Sequence, residues 1–176
     1  MLVESFRLVT ARLIPRHRRR KQALLLAAGI LAGCGGSSAA KAQVVAGAGF
    51  RFAAPAGWKV ERTSRQASAT HDSEFVRVAT FPLLKPYRPA LFDRVATELA
   101  ARMAEVATQV KGTISGSRTV TAGGIRSHSY DVKVGDHIDQ YTFVLRGRRE
   151  YQLLCRRGSS GSDAACKQLI ASFAVG

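Results

Sequence analysis

The sequence predicts an α+β fold, an antiparallel β-sheet flanked by one long helix and a C-terminal helix, within residues 50–176. Three observations carry this. In "PYRPALFDRVATELAARMAEVATQV", Phe92, Val95, Leu99, Met103, Val106 and Val110 recur three or four residues apart and form one apolar stripe. From "SGSRTVTAGG" through "REYQLLCRR" the chain reads as successive strands joined by short glycine-bearing turns. It closes on "SDAACKQLIASFAV", where Cys166, Leu169, Ile170 and Phe173 share a helix face and Ser162 or Asp163 is placed to cap it. Runs of strands and single helices, without regular alternation, favour helices packed on an antiparallel sheet.

The first element is a targeting segment rather than part of that fold. Arg16, Arg18, Arg19, Arg20 and Lys21 form a basic block, and Ala23 to Gly33 carry no charge. A basic flank, a short apolar run and small residues at its exit are a secretory signal pattern. As a helix this run reaches roughly 16 Å, well short of a ~30 Å hydrocarbon core. A buried soluble helix would need a polar face, which the run lacks. Leu31-Ala32-Gly33-Cys34 resembles the lipobox of bacterial lipoproteins. That resemblance implies cleavage between Gly33 and Cys34, a diacylglyceryl group on the Cys34 thiol, further acylation such as palmitate, and anchoring to the outer face of the bacterial cell membrane. Two acyl chains are what such an anchor needs, since each buried CH₂ contributes about 0.8 kcal/mol and one chain holds a protein only marginally.

The chain has 27 Lys and Arg against 12 Asp and Glu. Without residues 1–33, which hold seven bases and Glu4, 20 bases and 11 acids remain, an excess of +9. Such a surplus favours anionic lipid headgroups or envelope polymers, and export argues against nucleic acid. "GGSSAAKAQVVAGAG", residues 35–49, is Gly-, Ser- and Ala-rich without periodicity. With Cys34 it reads as a flexible tether over 34–49, the folded domain beginning at Phe50.

"FRFAAPAGWKVERT" reads as a strand, a turn at Pro55-Ala56-Gly57 and a second strand opened by Trp58, whose ring plugs the end of a core or stacks on a ligand. "EFVRVATF" carries apolar residues at both parities, as in a strand covered on two sides. Pro89 suits a first helical turn, and Arg94, Glu98 and Arg102 mark a solvated helix face. The Gly135-Asp136 turn sets Val134 opposite His137, Val132 opposite Asp139, Tyr130 opposite Tyr141 and His128 opposite Phe143.

"FRFAAPAGWKV", the long helix ahead of the meander, and the final strand–Cys…Cys–helix segment ending in "LIASF" resemble the PsbP/Mog-type fold, over roughly residues 50–175. The arrangement is similar to that of LpqN-like lipoproteins of actinobacteria. The resemblance implies an α/β/α sandwich around a curved antiparallel sheet, and a non-catalytic binding or accessory module of the cell envelope. No metal-associated residue of the photosynthetic members matches a position of this chain.

Catalytic and metal-ligating groups are sparse. His128 and His137 fall roughly 20 Å apart on the predicted hairpin, too far to share a metal. His71-Asp72 with Glu74 lies in a polar loop, and "GSSGS", residues 158–162, resembles a nucleophile loop only in composition. The sequence therefore supports no catalytic residue, no cofactor and no metal site. An envelope hydrolase using the His71 region, and a lipid or glycolipid carrier with a pocket between sheet and helix, stand as rival readings. Arg146, Arg148 and Arg149 at one hairpin turn, with Arg156 and Arg157 about 23 Å away along the strand, are candidate contacts to anionic surfaces, the partners being headgroups, an envelope glycolipid or another envelope protein. If Cys34 is lipidated, Cys155 and Cys166 remain, an even count that favours a disulfide in an oxidising compartment; two separate buried thiols are the alternative.

Overall fold

Residues 42–176 are described by the computed structural model. The expected signal segment, the Gly33–Cys34 cleavage site and residues 35–41 of the tether lie outside them. The described chain belongs to a compact unit beginning at Ser38.

Ten strands and two helices follow in order: β1 Gln43–Gly47, β2 Phe50–Ala54, β3 Lys59–Arg62, β4 Gln66–His71, β5 Glu74–Pro82, a 3₁₀ turn Pro89–Leu91, α1 Phe92–Gln109, β6 Thr113–Ala122, β7 Ile125–Val134, β8 His137–Arg146, β9 Arg149–Gly158, α2 Ala164–Ser172 and β10 Ala174–Val175. Seven strands make one antiparallel sheet in the order β3-β4-β5-β9-β8-β7-β6, and β1-β2-β10 make a second, three-stranded sheet. The α+β expectation and the antiparallel meander hold. All four residue pairs expected across the β7–β8 hairpin are present. Gly135 makes that turn possible because its φ of 58° lies where side chains are disfavoured.

Alternation along the strands divides the large sheet into two faces. One face supplies Ala67, Val76, Val78, Leu153 and Cys155 to a core closed by Val45 and Phe52 of the small sheet and by Leu169 and Phe173 at the chain's end. The other face supplies Tyr130, Val132 and Phe143, on which α1 sets Leu99, Met103 and Ala107. Met103 is fully buried. The predicted stripe packs through Phe92, Leu99 and Met103, but Val110 ends the helix half-exposed.

Three expectations need correction. The domain does not begin at Phe50: residues 43–47, assigned to the tether, form β1, paired with β2 from Gln43↔Ala54 to Gly47↔Phe50 and holding Val45 wholly inside. Arg102 is not on a solvated face; it forms a two-pronged ion pair with buried Glu150 on β9, at 2.7 and 3.4 Å, with its guanidinium 4.5 Å from the Phe143 ring. Neither expected cap side chain accepts from the α2 interior: Ser162 Oγ accepts from the Ala164 amide, while Asp163 pairs with Lys167.

Candidate functional site

Antiparallel pairing sends the turns of the large sheet to opposite ends. One end, where the described chain enters at Gln43, carries Trp58, the His71–Glu74 turn, Gly135-Asp136 and Gly158. Gln43 fastens this entry, its Nε2 donating to the carbonyls of Trp58 at 2.7 Å and Pro55 at 3.0 Å. The other, distal end carries the β1–β2, β3–β4, β6–β7 and β8–β9 turns and the loop between β5 and α1. Nine residues of β5 span the distance, about 26 Å at ~3.3 Å per residue.

Positive charge gathers at the distal end. Arg146, Arg148 and Arg149 surround the Gly147 turn as expected, and all three are exposed. The β5–α1 loop folds onto this turn: the Leu83 amide donates to Arg148 O at 2.9 Å, the Tyr87 amide to Gly147 O at 2.7 Å, and the Arg148 guanidinium to Leu84 O at 3.0 Å. Lys85 and Arg88 are thereby added to the patch. Arg126 stacks on the Phe92 ring at 3.9 Å, and its charge acts on the Tyr87 phenol. Arg62 donates to Ala46 O, Arg149 donates to Ala48 O, and Arg51 and Arg65 lie on the adjoining β2 and β3–β4 segments. The acids nearby are Asp93, in the first turn of α1, and Glu150, already bound to Arg102. At the entry end Lys59, Lys111 and Lys133 are interspersed with Asp72, Glu74 and Asp136. The sequence showed three of the distal bases together; the loop docked on the turn and the β1–β4 segments bring the rest.

Arg156 and Arg157 do not form a patch. They alternate across β9, and Arg156 is held by Asp139, 2 % exposed, through bonds of 2.7 and 2.8 Å, with the Phe75 ring 5.1 Å away. The hydrogen bond that Arg156 donates to Asp139 raises the Arg156 pKa. Arg156 is thus a structural cation, not a surface contact. Around it Arg77 is pushed down by burial, and the Tyr141 phenol is pushed up first by burial and then by Asp139. His137 Nε2 lies 3.9 Å from Asp139 and has no hydrogen-bond partner. A signal for the Asp139–Arg156 pair was available: continuing the two-residue turn at Gly147 sets 139 opposite 156.

Arg157 faces the other side, in an open hollow of about 450 Å³ beside α2 with Arg118, Asp131, Gln140, Asp163 and Lys167. Two of these cations are taken, Arg118 by Asp131 at 2.7 Å and Lys167 by Asp163 at 3.0 Å. A second hollow of about 480 Å³ lies between α1 and the β6–β7 edge, lined by Ala96, Thr97, Ser117, Thr119, His128 and Tyr130. His128 Nε2 is 3.1 Å from Phe92 O, and its ring stacks on Phe92 at 3.9 Å.

His71 is exposed at the entry end, stacked on Trp58 at 6.0 Å with Asp72 at 3.4 Å. Trp58 packs against the first core, the plug expected of it. Glu74, opposite His71 in the β4–β5 pairing, accepts from the Gly158 amide at 3.5 Å. Among the described residues no group of three His, Cys, Asp or Glu side chains is placed to hold a metal. Cys155 and Cys166 form the expected disulfide, with Cα atoms 5.4 Å apart, and tie β9 to α2 inside the core.

No family model matches the chain, and no curated protein matches it. Solved structures do. The solution structure of cyanobacterial PsbP (CyanoP) from Synechocystis sp. PCC 6803 aligns over 83 % of this chain and 99 % of its own, with a TM-score of 0.59 and 17 % identity. A crystal structure from Bacteroides thetaiotaomicron VPI-5482 aligns over 78 % of this chain, with a TM-score of 0.54 and 14 % identity. This chain spans only 49 % of that protein's length. The fold is PsbP-like.

Proposed function

We propose that the chain is an exported bacterial lipoprotein, anchored to the outer face of the cell membrane through diacylated Cys34, whose PsbP-like domain acts as a non-catalytic binding or accessory module of the envelope. The supporting observation is the use of its three cysteines: Cys155 and Cys166 pair with each other, and Cys34, the one outside that bridge, stands in the lipobox-like motif. A buried structural disulfide suits an oxidising compartment, and export through the segment ahead of Cys34 would deliver the chain there.

Eight residues separate Cys34 from Gln43, so the linker, nine Cα steps, reaches at most about 32 Å and keeps the Trp58 end near the membrane. Binding at the surface is favoured over carriage of an acyl chain because the space beneath α1 is filled by Met103 and Phe143, and the hollows beside both helices are open, with charged or polar Arg118, Asp131, Thr119 and Ser117 among their lining residues. Intact-mass analysis of the membrane fraction tests the anchor. A chain beginning at diacylated Cys34 is expected, and Cys34→Ala should abolish that species. An unmodified Cys34 in a chain still carrying residues 1–33 overturns the proposal.

A further inference from the structure

We infer that the distal end of the domain docks on an anionic lipid bilayer, with Leu84 and Leu91 entering the interface and the surrounding bases meeting the headgroups. The inference takes its compartment from the reading above but stands on a surface that the anchor does not contain.

The geometry joins two features that a bilayer recognises together. Leu84 is 68 % and Leu91 38 % exposed, and both belong to the loop that rests on the Gly147 turn. Lys85, Arg88, Arg146 and Arg148 belong to this loop and turn, and Arg148 itself bonds the Leu84 carbonyl. Leu84 is therefore presented on a braced loop, so little ordering is lost on docking. A soluble polyanion would be held by the bases alone. An exposed leucine among cations is instead the pattern of an interfacial segment, where apolar burial and attraction to anionic lipid add. The entry end, about 26 Å away, mixes acids with bases and lacks this charge. With Cys34 in the same bilayer, attachments at both ends lay the sheet axis along the membrane.

The Ser38–Gly176 unit has its own two cores and its disulfide, so it is tested without the anchor. Co-sedimentation would use vesicles of phosphatidylglycerol mixed with phosphatidylcholine, against phosphatidylcholine alone. Binding only to the anionic vesicles, fading as salt shortens the screening length below ~8 Å, is expected. Leu84→Ser should weaken it about fivefold, and Lys85→Glu by a similar factor or more. Lys133→Glu, the same charge change at the entry end, should leave it within about twofold. In Leu84→Trp, the new indole should shift to shorter wavelength on anionic vesicles. All three sites are exposed, and unchanged melting would show that the variants are folded. Equal binding to both vesicles, insensitivity to Leu84→Ser, or equal losses from Lys85→Glu and Lys133→Glu overturns the inference. So does full competition by soluble polyphosphate without Leu84 dependence, which assigns the bases to a polyanion. None of these results bears on Cys34 processing, so the two proposals fail separately.

Discussion

Breaking the Cys155–Cys166 bridge should loosen the whole domain without unfolding it. The bond spans a sequence separation of 11 and lies inside the core, where Cys155 is 2 % and Cys166 1 % exposed. Cross-linking a loop of this length removes roughly 9 cal/mol/K from the unfolded chain, about 2.8 kcal/mol at 25 °C. For a domain of this size that is about 10 °C in Tm. The loss falls where α2 and β9 meet, so the β9 packing of Leu153 and the seat of Phe173 should become exchangeable first. The assay is urea and thermal unfolding of the Ser38–Gly176 unit oxidised, reduced, and as the Cys155→Ala/Cys166→Ala variant, followed by Trp58 fluorescence and circular dichroism. The reduced and double-alanine forms should agree to within about 1 kcal/mol, since alanine leaves only small cavities. A change below about 0.5 kcal/mol on reduction would refute the reasoning, as would two alkylatable thiols in the denatured, unreduced protein.

Three further outcomes follow from buried contacts. Arg102→Ala leaves the Glu150 carboxylate, 4 % exposed, without its two bonds and should cost about 2–3 kcal/mol in urea unfolding. Glu150→Gln keeps the shape and an acceptor and should cost nearer 1 kcal/mol, so a negligible loss there would show that the pair matters only by packing. Met103→Ala, at a fully buried site under α1, should cost about 2–5 kcal/mol while leaving the disulfide formed. Tyr141 and Tyr130 are both raised by burial. Unfolded phenols ionise near ~10, so their stabilisation is complete below that pH and is lost as pH rises toward the higher folded values. Stability should fall as pH rises above about 10, and Tyr141→Phe should reduce that slope; an unchanged slope would remove Tyr141 from the account.

The elements that could be read in advance carry their own local evidence. The stripe from Phe92 to Met103 needs only the 3.6-residue period, and the β7–β8 register follows from two turn residues. β1 offers neither: "QVVAG" has one buried side chain, Val45, and its strand exists because β2 is there to pair with it. β4, "QASATH", is no clearer, for its small residues become buried only between β3 and β5. Arg102 looked like one member of a solvated helix face because Glu150 is 48 residues away in the chain.

By itself the sequence determined the α+β class, the long helix, the meander and the charge surplus, because each rests on composition or short-range spacing, whereas it only favoured the Cys155–Cys166 pair, through an even count that holds if Cys34 is lipidated. Only the tertiary structure decided which cations are free to meet a partner. Arg156 is withdrawn by Asp139, facing it across β8 and β9, whereas Lys85 and Arg88 are brought beside the Gly147 turn by the loop docked on it. A cation's availability depends on the acids and backbone within a few ångströms of it. Antiparallel pairing sets those neighbours by bringing turns distant in sequence to the same end of one sheet.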